Sequence, residues 1–244
     1  MPGSLEIDDL RQYVFGLFLG REKETVVDTS SLKFLGTAFF VTKCGDAITA
    51  AHILPSTEEL EDSECVLGIL GVGGKTKAYR VVFAASFSES DLAIFRLQTN
   101  NTLYLEVSFE SILMGTDVMA FGISDHQIYG SGLELRTVKG YTTMPVWRGS
   151  QELSFMVPAG MSGGPVLLGT KCVGFLIGNV TSEQVIDQIE EVSEATDNFE
   201  KIKIVESREV LHYGVYRPFS IYEGKTSDIF DGDSLDQLIR DRNK

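Results

Sequence analysis

The chain has 244 residues, 43% of them hydrophobic, and carries 35 acidic against 21 basic residues for a formal net charge of −14. Such a length buries a full core, as one large domain or as two halves of about 100 residues. An isoelectric point near 4.6 excludes a nucleic-acid partner, which needs a basic footprint, and leaves a cationic partner easier to accommodate. Cys44, Cys65 and Cys172 have no short metal-ligand spacing and form no disulfide framework, so a reducing compartment is expected, with no metal or other cofactor. Met1 to Asp9 is acidic, lacks a basic leader and opens no long apolar run, which predicts a soluble cytoplasmic protein with no membrane partner.

In chain order, apolar density predicts strands over Tyr13 to Leu19 and Thr25 to Val27, parted by a turn at Gly20 to Lys23. Gly36 to Val41 and Ala47 to Ala51 read as a hairpin turning at Cys44-Gly45-Asp46 and ending at His52. Glu58 to Glu64 holds five carboxylates in seven residues and reads as a solvated loop. Cys65 to Leu70 and Lys77 to Ala84 flank a glycine turn, and Leu92 to Leu97 follows as a strand. The stretch from Asn100 to Glu110 is the expected boundary between residues 1–105 and 106–244. Beyond it, Asp117 to Ile123, Leu133 to Tyr141, Gln151 to Met156, Pro165 to Leu168 and Lys171 to Ile177 read as the strands of a second barrel. One segment departs from the β pattern: Thr181-Ser182-Glu183-Gln184 fits a capping box, and Val185, Ile186, Ile189 and Val192 predict a helix from Ser182 to about Thr196, inside an insertion spanning 181–211. A short closing helix is expected within Asp231 to Arg240.

The chemistry concentrates at Val157-Pro158-Ala159-Gly160-Met161-Ser162-Gly163-Gly164-Pro165. A serine hydroxyl is a weak nucleophile until a base takes its proton, so a catalytic Ser162 needs a histidine and a carboxylate behind it. Thr49-Ala50-Ala51-His52 ends an apolar run, and Asp91 heads the alternating Leu92 to Leu97 segment. In this reading His52 is the general base and then acid, Asp91 orients it, and the N–H groups of Gly160 and Ser162 form an oxyanion hole. His126 and His212 belong to no such block and are read as surface or packing residues.

These blocks, in the order His, Asp, Ser, resemble the trypsin-like (chymotrypsin-fold) serine proteases, and Gly214-Val215-Tyr216 resembles that family's last barrel strand. The resemblance runs from about Leu35 to Tyr222. It implies an all-β fold of two Greek-key antiparallel barrels, with His52 and Asp91 on the first and Ser162 on the second, and an endopeptidase working through an acyl-enzyme. It places the primary specificity pocket at Met156, Val157, Pro158, Ile177, Gly178, Asn179 and Gly214; none offers a carboxylate, so an apolar or small residue is expected before the scissile bond.

Two departures stand out. Met161 replaces the aspartate that pairs with a released N-terminus in the secreted zymogens, so control is expected from a loop or a regulatory protein partner. Ile177 stands where relatives often carry a hydroxyl that supports the carboxylate, so Asp91 must find support elsewhere. Seven carboxylates between Ser182 and Lys201 would favour protein or peptide substrates with basic segments. Two alternatives remain: a catalytically silent binding module on the same barrels, and an α/β-hydrolase-type esterase, since Gly160 to Gly164 also satisfies G-x-S-x-G.

Overall fold

A computed structural model describes residues 10–21, 32–56, 60, 64–72, 75–99, 102–124, 135–186, 207–225 and 233–244. Strands β1 (Val14–Arg21), β2 (Lys33–Phe40), β3 (Asp46–Ala50), β4 (Glu64–Val72), β5 (Lys75–Phe87) and β6 (Leu92–Leu97) close an antiparallel barrel in the order β1-β2-β3-β6-β5-β4. Its interior is aromatic. Phe15, Phe40 and Phe95 are fully buried, with the Phe15 ring 4.7 Å from Phe40 and 6.2 Å from Phe95, the second pair edge to face.

Strands β7 (Asp117–Ile123), β8 (Leu135–Tyr141), β9 (Gln151–Leu153), β10 (Pro165–Leu168), β11 (Lys171–Ile186) and β12 (Ser207–Pro218) form a second sheet in the order β8-β7-β10-β11-β12-β9. Its edge strands meet through one bridge, Thr142 to Leu153. Following the ring through that bridge repeats the strand order of the first barrel, so the fold is two barrels of one topology, one closed and one part-open. An apolar cluster containing Ile48 and Leu92 of the first barrel, Phe121 and Phe175 of the second, and Leu235 and Ile239 of the tail joins the two.

The insertion differs from expectation. Residues Ser182 to Ile186 continue β11 as a strand, paired residue by residue with Ser207 to Leu211 of β12, so this part is hairpin and not helix. The β-branched run of Val180, Thr181, Val185 and Ile186 suits a pleated strand, and a partner strand overrides a local capping signal. The rest of the predicted helix, and Thr25 to Val27, lie outside the described residues. Strand β9 also stops at Leu153, short of the predicted Met156.

The closing helix α1 (Leu235–Asn243) is capped by Ser234, whose hydroxyl accepts the Gln237 N–H, and it buries Leu235 and Ile239. Its last turn locks onto the first barrel. Asp46, 2% exposed, accepts from Thr42 Oγ1 at 2.7 Å and from Arg96 Nε at 2.9 Å, and also pairs with Arg242 of α1. A buried carboxylate is tolerable only when its oxygens are satisfied in this way. Asp46→Ala strands two guanidinium groups at the helix junction and should cost about 3 kcal/mol in denaturant unfolding, whereas Arg242→Ala, which leaves Arg96 in place, should cost less. Equal losses from the two variants would contradict this reading of the junction.

Candidate active site

Strands β3 and β6 are antiparallel neighbours, with Ala50 opposite Leu92, so the residues just past one and just before the other are brought together. His52 lies in the 3-10 turn Ala51–Ile53, and Asp91 directly precedes β6. The Ala51 N–H donates to the Asp91 carbonyl at 3.0 Å, which carries the ladder one step further. The Asp91 carboxylate then accepts twice from one residue: the His52 backbone N–H reaches Oδ1 at 2.9 Å and ring Nδ1 reaches Oδ2 at 2.8 Å. Asp91 achieves this with φ at +52°, a left-handed conformation that aspartate tolerates better than most side chains.

This pairing raises the His52 pKa above the usual histidine range, chiefly through the side-chain hydrogen bond to Asp91; partial burial opposes the shift and the carboxylate's charge adds to it. Among the described residues the ring is bonded only through Nδ1, which leaves Nε2 for another partner.

Ser162 sits on the turn between β9 and β10, and the first barrel holds that turn. The Thr37 N–H of β2 donates to the Ser162 carbonyl at 2.9 Å, and the Thr37 hydroxyl donates to the Gly160 carbonyl at 2.9 Å while accepting the Ile123 N–H at 2.9 Å. Thr49, three residues before His52, donates its hydroxyl to the Thr37 carbonyl at 2.7 Å. Glycine is required beside this contact: a Cβ at Gly163 would lie 2.1 Å from Thr49 Oγ1 and 2.2 Å from the Thr37 carbonyl oxygen, and its φ is +83°. On the other side, Gly163 N–H donates to Leu176 at 2.7 Å and Leu176 N–H to Gly164 at 2.8 Å, binding the turn to β11.

The Met161 N–H closes a turn on the Pro158 carbonyl at 3.2 Å, with Gly160 third in the turn at φ +90°, the type II form. Neither the Gly160 nor the Ser162 N–H donates to an acceptor among the described residues. The Ser162 hydroxyl likewise has no hydrogen bond among them, so the structure brings His52 and Asp91 into contact and seats Ser162 across the same seam without a bond to the ring.

A family model described as a trypsin-like peptidase domain matches residues 36–178, more than half of the chain. The chain belongs to the trypsin-like peptidase family. A solved structure described as neuropsin, a serine protease expressed in the limbic system of mouse brain, superposes with a TM-score of 0.57 at 12% identity, covering 91% of this chain and 95% of the other. At that identity the likeness speaks to the fold. No curated protein sequence matches.

The other expected features of this peptidase fall out unevenly. Ser162 is followed by strand β10 and not by a helix, which removes the α/β-hydrolase alternative. Met161 is fully buried in an apolar cluster with Val118, Leu176 and Tyr216, so packing anchors the turn where a charge pair was ruled out. His212 lies on the long hairpin with Nδ1 3.4 Å from the Thr181 hydroxyl, and His126 is outside the described residues. The backbone just before Asp91, and not its carboxylate, is held by a residue that the sequence did not single out. Tyr222 donates its hydroxyl to the carbonyl of Ser90 at 2.8 Å, and burial pushes its pKa up to about 12, so it stays a neutral donor.

Thr37 was also missed; its Gly-Thr-Ala-Phe setting reads as ordinary strand. Thr37→Val keeps the shape and removes the hydroxyl from a fully buried site, leaving the Gly160 carbonyl and the Ile123 N–H unpaired. Turnover of a peptide substrate should fall about 10- to 100-fold with little change in KM, and Thr37→Ser should restore most of it. Equal kinetics for the valine and serine variants would show that the hydroxyl does not position the turn.

Proposed function

We propose that the peptidase hydrolyses peptide bonds through an acyl-enzyme on Ser162. The observation that carries the reading is the double acceptance by Asp91 of the His52 backbone N–H and ring Nδ1, which leaves Nε2 free to accept a proton. His52 Nε2 takes the Ser162 proton as Oγ attacks the scissile carbonyl; Asp91 holds the tautomer and stabilises the imidazolium. The oxyanion is received by the Gly160 and Ser162 N–H groups, which no other described group occupies. His52 then protonates the leaving amine, and water, deprotonated by the same nitrogen, releases the acid.

Substrates are proteins or peptides with an apolar or small residue before the cut, and basic segments suit the net charge of −14. Because Met161 is anchored by packing, no step calls on a free amino terminus.

Ser162→Ala and His52→Ala should each lower kcat by about 10⁴- to 10⁶-fold, and only proteins retaining Ser162 should take a fluorophosphonate label. His52 must be neutral to accept the proton, so kcat/KM should rise with pH through a midpoint above the usual histidine range, and Asp91→Asn should move that midpoint down. The linked stability has the opposite trend: the His52–Asp91 pair contributes fully below the unfolded histidine pKa and is lost as pH rises through the raised folded value, an effect kept small by 46% exposure of the His52 side chain. A Ser162→Ala protein that still cleaves, or an acid limb indifferent to Asp91, would overturn the assignment.

A further inference from the structure

The segments expected to enclose the residue before the cut are fastened to one another. The Val157 N–H donates to Asn179 Oδ1 at 2.7 Å, and Asn179 Nδ2 donates to the Val157 carbonyl at 2.8 Å. One side-chain amide therefore spans from β11 to the segment leading into the Ser162 turn, and spends both polar ends on a single backbone residue. The third wall is equally close. Gly214, paired opposite Asn179, donates its N–H to the Phe155 carbonyl at 2.6 Å, and a Cβ built at Gly214 would lie 2.8 Å from Val157 Cγ2.

A bulge produces this arrangement. The pairing of β11 with β12 shifts register between Leu176 and Gly178, and Gly178 takes φ +143°, so the alternation of side chains restarts just before Asn179. Val157 itself is 4% exposed and packs with Leu153, Leu176 and Tyr216. An aromatic or branched side chain entering between these walls would have to displace the Asn179 amide and leave the Val157 N–H and carbonyl without partners. Open space borders the clasp as a cleft of about 300 Å³ lined by Met144, Trp147, Ile177, Gly178, Asn179 and Val180.

We propose that Asn179 is a specificity-determining residue whose amide closes the primary pocket, so that the peptidase cuts after glycine, alanine or serine and discriminates against larger residues. The inference rests on the acyl-enzyme reading of Ser162. Water cannot enter as a substitute partner while a hydrocarbon side chain fills the gap, so the penalty falls on the large substrate and not on the small one.

The test compares peptide substrates that differ only in the residue before the cut, alanine against leucine and phenylalanine. The wild-type protein should favour alanine by about 100-fold or more in kcat/KM. Asn179→Ala should raise the leucine-to-alanine ratio of kcat/KM by about 10- to 100-fold, and fluorophosphonate labelling of Ser162 verifies that the variant is folded. Asn179→Ser, which retains a hydroxyl for one of the two bonds, gives the same readout with a smaller shift if the alanine variant does not fold. Wild-type cleavage after leucine or phenylalanine as fast as after alanine, or labelled variants with an unmoved ratio, would overturn the proposal alone. A wild-type protein that takes no label would overturn it together with the reading on which it rests.

Discussion

The grip of Thr37 on the Ser162 turn is the contact on which the site depends. Its N–H and hydroxyl reach the carbonyls of Ser162 and Gly160, on either side of Met161, while its own carbonyl accepts from Thr49 in the strand that leads to His52. One buried residue of the first barrel thus fixes the Ser162 turn of the second against the strand that leads to His52. The close approach leaves no room for a Cβ at Gly163. A glycine-rich turn in solvent would be a soft element, but here its carbonyl groups are spent on barrel contacts, and the N–H groups of Gly160 and Ser162 are kept back.

Electrostatics and packing divide the remaining work. Asp91 acts on His52 at close range through two hydrogen bonds, and its own backbone is held by Ala51 and, through Ser90, by Tyr222. Met161 adds only apolar contact, yet full burial between Gly122 and the Leu176–Tyr216 cluster holds the turn from beneath. Among the described residues the turn is ordered by hydrocarbon burial and backbone hydrogen bonds, with no ion pair at it.

What the sequence disclosed follows from how local each signal is. Ser162, His52 and Asp91 stand in short blocks whose residue types are dictated by chemistry, and the strands around His52 and Asp91 are apolar runs of five to eight residues, buried over most of their length. Tyr222 and Ser90 meet across 132 positions, and Thr37 and Gly160 across 123, with nothing in either neighbourhood to announce the pairing. The strand at Ser182 to Ile186 was misread because a capping box is a local signal and the partner strand that overrides it begins at Ser207. The clasp between Asn179 and Val157 was hidden for a related reason: the register shift between Leu176 and Gly178, just before Asn179, leaves no mark in composition or spacing.

The central claim is that the two barrels hold a base, a nucleophile and an empty pair of N–H donors around one reacting carbon. A crystal structure of the Ser162 adduct with a peptidyl phosphonate carrying alanine next to phosphorus tests it most directly. The account predicts a phosphonyl oxygen within hydrogen-bond distance of both the Gly160 and Ser162 N–H groups, with His52 Nε2 facing Ser162 Oγ and Nδ1 still on Asp91. An adduct whose phosphonyl oxygen points away from those N–H groups, or whose His52 has left Asp91, would contradict it.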